Sequence, residues 1–244
     1  MSRLVHGVYW GASVTQGARA IKGVCREFFT VPRSRRWQPR RIPGEYVNVL
    51  VVHPKIPARN VRELMALAKS KPGGMTYASS GNGTSNHLSA ELLARVAGIR
   101  MTHVPYKGGV PALVDVRAGQ VDFMFDTIIT SLPLVKAGAL RALATTGRGR
   151  DAYMPEVPAL AEFYPGYEVV GFMAVFGPAG MPKAVVDRLN SELTAIIRSP
   201  EMQERLAQLY FNPRTSTPDE LARRVRKDGA HWKALIATAG IKLD

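Results

Sequence analysis

MTYASSGNGTSNHLSAELL, residues 75–93, is the stretch whose reading decides the fold. Met75 to Ser79 is short and alternating, as in a buried strand; Ser80 to Ser85 is entirely small or polar; Asn86 to Leu93 has apolar residues at helical spacing. The expected local structure is strand, glycine turn, helix. The first backbone N–H groups of a helix have no partner inside it, and the aligned peptide dipoles leave partial positive charge there. Gly81 and Gly83 would let a ligand approach the main chain, and Thr84 or Ser85 would serve as N-cap with its hydroxyl pointing the same way. Read one way, the turn is a cradle for a carboxylate or phosphate. Read the other way, it is a tight helix start with a satisfied cap.

Outward from this stretch the same grammar repeats. Upstream, VNVLVVH (Val47 to His53) is a near-continuous apolar run closed by Pro54, hence a buried strand. Val61 to Lys69 has helical spacing and stops at Lys71-Pro72-Gly73-Gly74. Downstream come a strand at Met101 to Val104, a turn at Pro105 to Gly109, and a helix at Pro111 to Ala118 with proline tolerated in its first turn. Then follow a strand at Val121 to Phe125, a loop opened by Asp126-Thr127, a short helix at Leu132 to Ala137, and a strand at Leu140 to Thr145. Successive strand-helix units imply a largely parallel sheet with right-handed crossovers.

In such a sheet the loops that follow strands share one edge, where ligands of open α/β sheets bind. Ser79 to Ser85, Pro105 to Gly109 and Asp126 to Thr130 would therefore lie side by side. Lys107 would meet an anionic ligand or stand solvated. Asp126 would accept a hydrogen bond from a ligand amine or hydroxyl, or cap the following turn.

Beyond this block, Val169 to Phe176 is a second apolar strand, and the rest reads as helix: Lys183 to Ile197, a restart at Ser199-Pro200-Glu201, and a capping box at Thr217 to Glu220. The apolar residues Val185, Val186, Leu189, Leu193 and Ile196 share one face.

The chain of 244 residues carries a net charge of +14, and half of that lies in residues 1–47, where nine basic side chains face only Glu27 and Glu45. PRSRRWQPRR invites a nucleic-acid reading, but no helix-turn-helix, zinc-finger or RNA-binding signature accompanies it, and a solvated, poorly ordered basic segment explains it better. No apolar run approaches the roughly 20 residues that cross a bilayer. The first twenty residues make a poor secretion signal, because Gly, Ser, Thr and His interrupt the apolar stretch.

Cys25 is the only cysteine, which excludes an internal disulfide and a cysteine cage. His53, His87 and His103 lack metal-site spacing, and Gly81-Asn82-Gly83 lacks the remainder of a dinucleotide or P-loop fingerprint, so neither metal nor cofactor is expected. No nucleophile stands beside His87, which points to a buried structural hydrogen bond rather than catalysis. Tyr77, Phe123 and Phe125 read as core aromatics.

Taken together, NVLVVHP (48–54), YASSGNGTSNHLSAELL (77–93), HVPYKGGVPALVDVRAGQVDFMFD (103–126), LPLVKAGALRALATTGRGR (132–150), PEVPALAE (155–162) and GPAGMPKAVVDRLN (177–190) resemble the substrate-binding proteins of tripartite tricarboxylate transporters, the TctC or Bug family. The resemblance implies an α/β, periplasmic-binding-protein-like fold of the type II flytrap kind, with a parallel-sheet lobe. It further implies a monomeric, non-catalytic, periplasmic receptor that takes a small organic carboxylate and delivers it to membrane permease subunits. By the same carry-over, Ser79, Ser80, Gly81, Asn82, Gly83, Thr84 and Ser85 would receive the carboxylate through N–H groups, hydroxyls and waters, and Tyr106, Lys107, Gly108, Asp126 and Thr127 would complete the wall.

Residues 1–46 do not match the family's opening region. The expected organisation is thus an atypical basic segment (1–46), a ligand-binding lobe with the first crossover strand (47–170), and a return strand with carboxyl-terminal helices of an incomplete other lobe (171–244). A member lacking most of one lobe, through truncation or an altered reading frame, would close poorly or be a non-catalytic remnant, and the weak amino-terminal signal leaves cytoplasmic retention open. An enzyme acting on an anion with His87 or Asp126 as base is the remaining alternative.

Overall fold

The computed structural model describes residues 37–241, with side chains from Gly44 onward. Strand β1 (Trp37–Val52) begins ten residues before the apolar run that announces it, so the end of the basic segment is extended chain; residues 1–36 lie outside the described part. Its last residues, Val49 to Val52, are completely buried. Helix α1 (Val61–Ser70) buries Val61, Leu64, Met65 and Ala68, the face its spacing predicts. Strand β2 (Thr76–Ser79), helix α2 (Ser85–Ala97), strand β3 (Thr102–Pro105), helix α3 (Gly109–Ala118), strand β4 (Phe123–Thr127), helix α4 (Ile128–Lys136) and strand β5 (Arg141–Thr145) follow in alternation. Gly98 ends α2 in the left-handed conformation at φ 63°, where a side chain would be strained.

Contacts divide the described residues into two units, one of Tyr46–Gly171 with the residues from Trp232 on, the other of the residues up to Glu45 with Phe172–His231. The first unit is built on the strand order β3-β2-β4-β1-β5. β2 runs parallel to β3 and β4. β1 runs antiparallel to both its neighbours, pairing Asn48 with Thr127 of β4 and Val49 with Thr145 of β5. β2 to β5 thus share one direction, as the alternation of strands and helices predicts, and β1 is inserted against them. Its unbroken apolarity reports burial on both faces and carries no information about direction.

Tyr77, Phe123, Phe125, Leu50, Leu64, Leu88 and Leu93 fill the core of this unit, and the Tyr167 hydroxyl donates to the Ser89 carbonyl at 2.8 Å. Gly171 has no alternative residue: a Cβ there would lie 2.3 Å from Cζ of Tyr46.

In the other unit, the early part of β1 pairs at Gly44 and Glu45 with the two-residue strand β7 (Asn212–Pro213), while β6 (Val170–Pro178) also pairs with β1. β7 interrupts a region whose sequence reads as helix throughout. Helices α5 (Lys183–Arg198), α6 (Pro200–Gln208) and the first part of α7 (Pro218–Ala239) complete the unit. Leu221 and Val225 pack on Phe172, Ala174 and Phe176. Glu45 accepts from Arg214 at 2.8 Å and from Arg224 at 3.1 Å, and the Arg224 guanidinium lies 5.5 Å over the Phe172 ring. On α5 the predicted apolar face is largely exposed at Val185, Leu189 and Ile196. Among the described residues no helix is long and apolar enough to cross a membrane.

Candidate functional site

The carboxyl ends of β2, β3, β4 and β5, together with Asn48 near the middle of β1, form one rim of the first unit's sheet. The candidate site residues lie at this rim: Ser79, Asp126 and Thr127 at strand ends, Ser85 at the start of α2, and Ser80 to Thr84 and Tyr106 to Gly108 on the loops between. The loops touch: the Tyr106 N–H donates to the Ser79 carbonyl at 3.0 Å, the Asn86 amide donates to the Phe125 carbonyl at 2.5 Å, and Gly81 faces the Tyr106 carbonyl. Asn86 also accepts from the Ser80 hydroxyl, so one buried amide holds the β2 and β4 loops together.

The glycine turn is tied inward more than its composition suggests. The Gly81 N–H donates to the Ser79 hydroxyl at 3.2 Å and the Gly83 N–H to Nδ1 of His87 at 3.0 Å, so these two amides are occupied by the protein itself. Gly81 and Gly83 both have positive φ, 134° and 72°, which is the reason for glycine at each. Thr84 sits at the N-cap of α2 but does not cap it; its hydroxyl donates instead to the Gly81 carbonyl at 2.8 Å. The expectation of a side-chain cap from Thr84 is thereby corrected. The first turn of α2 contains no acidic residue. What the rim offers an anion is the amide-bearing first turn of α2, not the glycine amides.

Among the described residues, three buried polar side-chain atoms have no hydrogen-bond partner: Oγ of Ser85, Oδ1 of Asn48 and Oγ1 of Thr145. All three belong to rim positions. The Asn48 amide donates to the Ser89 hydroxyl at 3.3 Å, one turn along α2 from Ser85, so the orphaned Ser85 and Asn48 oxygens lie against the same stretch of helix. A buried polar group without a partner costs about 1–3 kcal/mol, and a cluster of them at one edge marks a place where water or ligand completes the bonding. Asn48, Thr145 and Thr146 escape the sequence reading. Asn48 is a polar residue inside an otherwise apolar run, and Thr146, which accepts from the Asn48 N–H at 2.9 Å, hides in what reads as a loop.

Asp126 is 3% exposed and accepts from the Thr130 hydroxyl at 2.6 Å. Its other oxygen faces Gly109 at the start of α3, a Cβ there lying 3.8 Å away. Burial pushes the carboxyl up to about 6, against the pull of its Thr130 and Thr127 hydrogen bonds. Thr127 occupies the N-cap position of α4 without capping it. Tyr106 turns its hydroxyl away to Asp115 Oδ2 at 2.6 Å, and burial followed by that bond pushes it up to about 12. Lys107 is exposed and has no ion pair among the described residues.

His87, 4% exposed, makes the buried structural hydrogen bond expected of it. Among the described residues no group of three or more His, Cys, Asp or Glu is placed to hold a metal ion.

The rim of this α/β unit thus carries an uncapped helix start beside buried polar atoms that lack partners. The family model of the tripartite tricarboxylate transporter family receptor, TctC, matches residues 42–241, and the chain belongs to that family. It is 36% identical over 221 residues to the UPF0065 protein in the tcbD-tcbE intergenic region of Pseudomonas sp. (strain P51), covering 88% of this chain and 66% of that one. It is 30% identical over 206 residues to protein BugT of Bordetella pertussis, covering 84% of this chain and 63% of BugT. The chain thus spans about two thirds of the length of the curated relatives it matches.

Among solved structures it is similar to R. palustris Rpa4515 with adipate, at a TM-score of 0.79 and 31% identity over 88% of this chain and 72% of that one. It is also similar to MatC from Rhodopseudomonas palustris with bound malate, at a TM-score of 0.75 and 25% identity over 93% of this chain and 75% of MatC. The α/β fold is that of the TctC and Bug receptors, a family of non-catalytic solute-binding proteins.

Proposed function

We propose that this chain is a periplasmic receptor that takes a small organic carboxylate at the rim of its five-stranded unit, without turning it over, and passes it to the membrane permease subunits of a tripartite transporter. The observation that carries this reading is the uncapped start of α2 beside the buried, unpartnered Ser85 and Asn48 oxygens. A carboxylate seated there accepts from the first-turn amides and from the Ser85 hydroxyl. Ser79 to Ser85 form the floor of the site, Tyr106 to Gly108 and Asp126-Thr127 its wall, and the exposed Lys107 supplies positive charge at the edge.

Adipate and malate, carried by two related structures, define the class of ligand to try first. Titration calorimetry with dicarboxylates, hydroxy-dicarboxylates, aromatic acids and acidic amino acids should give heat with at least one. Silence from all of them at about millimolar concentration, the weak end of specific affinity, would sink the reading.

A second reading, a remnant that no longer serves transport, draws on the exposed apolar face of α5 at Val185, Leu189 and Ile196. It predicts self-association or instability of the isolated protein, which sedimentation would detect.

A further inference from the structure

Beneath the glycine turn lies a cluster of titratable groups that anion binding does not itself require. His87 and His103 are stacked with ring centroids 3.9 Å apart and planes 18° from parallel, and His103 stacks in turn on Tyr77 at 4.8 Å. Each histidine holds one end of the turn. His87 Nδ1 accepts the Gly83 N–H at 3.0 Å, and His103 Nε2 lies 2.6 Å from the Ser79 hydroxyl that accepts the Gly81 N–H. Glu91, one helical turn after His87, accepts from the Tyr77 hydroxyl and lies 3.8 Å from His87 Nε2.

We propose that His87 is a positioning residue for the anion-receiving turn, acting with the stacked His103, and that carboxylate affinity falls when the pair takes up a proton. This rests on the receptor reading for the affinity and on the geometry alone for the positioning.

An amide that donates to Nδ1 requires that nitrogen to be bare, so His87 carries its proton on Nε2, toward Glu91. A second proton can enter His87 only at Nδ1, where it would point a donor at the Gly83 donor and cut the turn loose. It would also place a cation against the face of the other ring. Burial, followed by the neighbouring His87, holds His103 down at about 4, with Glu91 pulling the other way.

The groups that face the pair are Glu91 from α2 and Tyr77 and Ser79 from β2, with the apolar Phe123 of β4 against Tyr77 at 5.8 Å between ring centroids. Glu91 is the one acid among them. Burial pushes it up, but its contacts with His87 and Tyr77 outweigh that and hold it below the usual carboxylate range. The Gly83 bond thus requires an uncharged His87 ring, and a proton taken up there would release the turn.

Asparagine at position 87 places an amide oxygen where Nδ1 stands and does not titrate; leucine offers no acceptor. Malate and adipate serve as probes, and because the probe's own ionisation is common to both proteins, the affinity ratio of variant to wild type cancels it. His87→Asn should bind within roughly threefold of wild type near neutrality, and His87→Leu should lose about tenfold or more, the scale of one buried hydrogen bond. The ratio of His87→Asn to wild-type affinity should climb as the pH falls, since the asparagine takes up no proton.

Without any ligand, nitrogen NMR of the wild type should show His87 Nδ1 unprotonated near neutrality, with the Gly83 amide resonance moving at the histidine midpoint. A flat ratio, wild-type affinity in a folded His87→Leu, or a protonated Nδ1 near neutrality would overturn the proposal. If the wild type binds neither probe, the receptor reading fails for that ligand class, and the NMR result alone decides whether His87 positions the turn.

Discussion

Two helix starts in the same unit are built in opposite ways. At α1, Asn60 accepts the Glu63 N–H at 2.9 Å, Glu63 reaches back to accept the Arg59 N–H at 2.6 Å, and the Asn60 amide donates to the same carboxylate. The helix supplies its own cap and its own negative charge. At α2, the cap residue turns its hydroxyl to Gly81, no acid occupies the first turn, and the Ser85 hydroxyl is buried without a partner. A chain that closes one helix start so fully has the residues to close the other. It leaves open the one that stands on the rim where β2, β3 and β4 end, and an external anion can replace the missing carboxylate there.

The most forceful way to break the comparison is to make α2 resemble α1. Thr84→Asp supplies the absent acid at the cap and should stabilise the fold by about 1 kcal/mol. It also sets a fixed carboxylate beside the proposed ligand. Two like charges about 4 Å apart repel by roughly 4 kcal/mol near a protein surface, so affinity should fall by about a hundredfold or more. Thermal unfolding and calorimetry on the same sample check both signs. A variant that gains stability yet binds as before would place the ligand elsewhere.

Asp126 tests whether the neighbouring helix start is already filled. Its buried carboxyl faces Gly109 at the beginning of α3, and burial raises it from 3.8 to about 6. Because the folded state holds this proton more tightly than the unfolded chain, stability from this group is greatest at low pH. It is lost as pH rises from about 4 through 6 and stays lost above. Asp126→Asn cannot ionise, so the variant should lack this decline and be more stable than wild type by up to about 3 kcal/mol near neutrality. Denaturant melts at intervals from pH 4 to 8 measure it, and parallel curves for the two proteins would refute the assignment. The His103 ring contributes in the opposite sense, since a histidine held down at about 4 costs stability as pH falls below its ordinary value of 6.5.

The sequence made the rim legible because strand-turn-helix alternation fixes which loops share an edge, and Ser79, Tyr106 and Asp126 follow from it. It did not make the direction of β1 legible, since an apolar strand buried on both faces looks the same in either orientation. Nor did it reveal β7, two residues long, or the true start of α4. There Ile128, Ile129, Thr130 and Ser131 are weak helix formers, and the hydroxyls of Thr130 and Ser131 return to the Thr127 carbonyl at 3.1 and 2.9 Å. By composition the glycine turn reads as a set of free amides, whereas Gly81 and Gly83 donate theirs to Ser79 and His87.

The smallest effect sharpens the comparison from its closed side. Asn60→Ala removes an N-cap that both accepts the Glu63 N–H and steadies the Glu63 carboxylate, and α1 begins well away from the β2 to β4 loop ends in sequence. The expected cost is about 1 kcal/mol of stability, with carboxylate affinity unchanged once the fraction folded is accounted for. Thr84→Ala, at the corresponding position of α2, removes no cap and should cost less, since only the hydroxyl bond to the Gly81 carbonyl is lost. If the two alanine variants instead destabilise equally, Thr84 caps α2 in solution, the helix start is closed by the protein itself, and the vacancy on which anion binding depends does not exist.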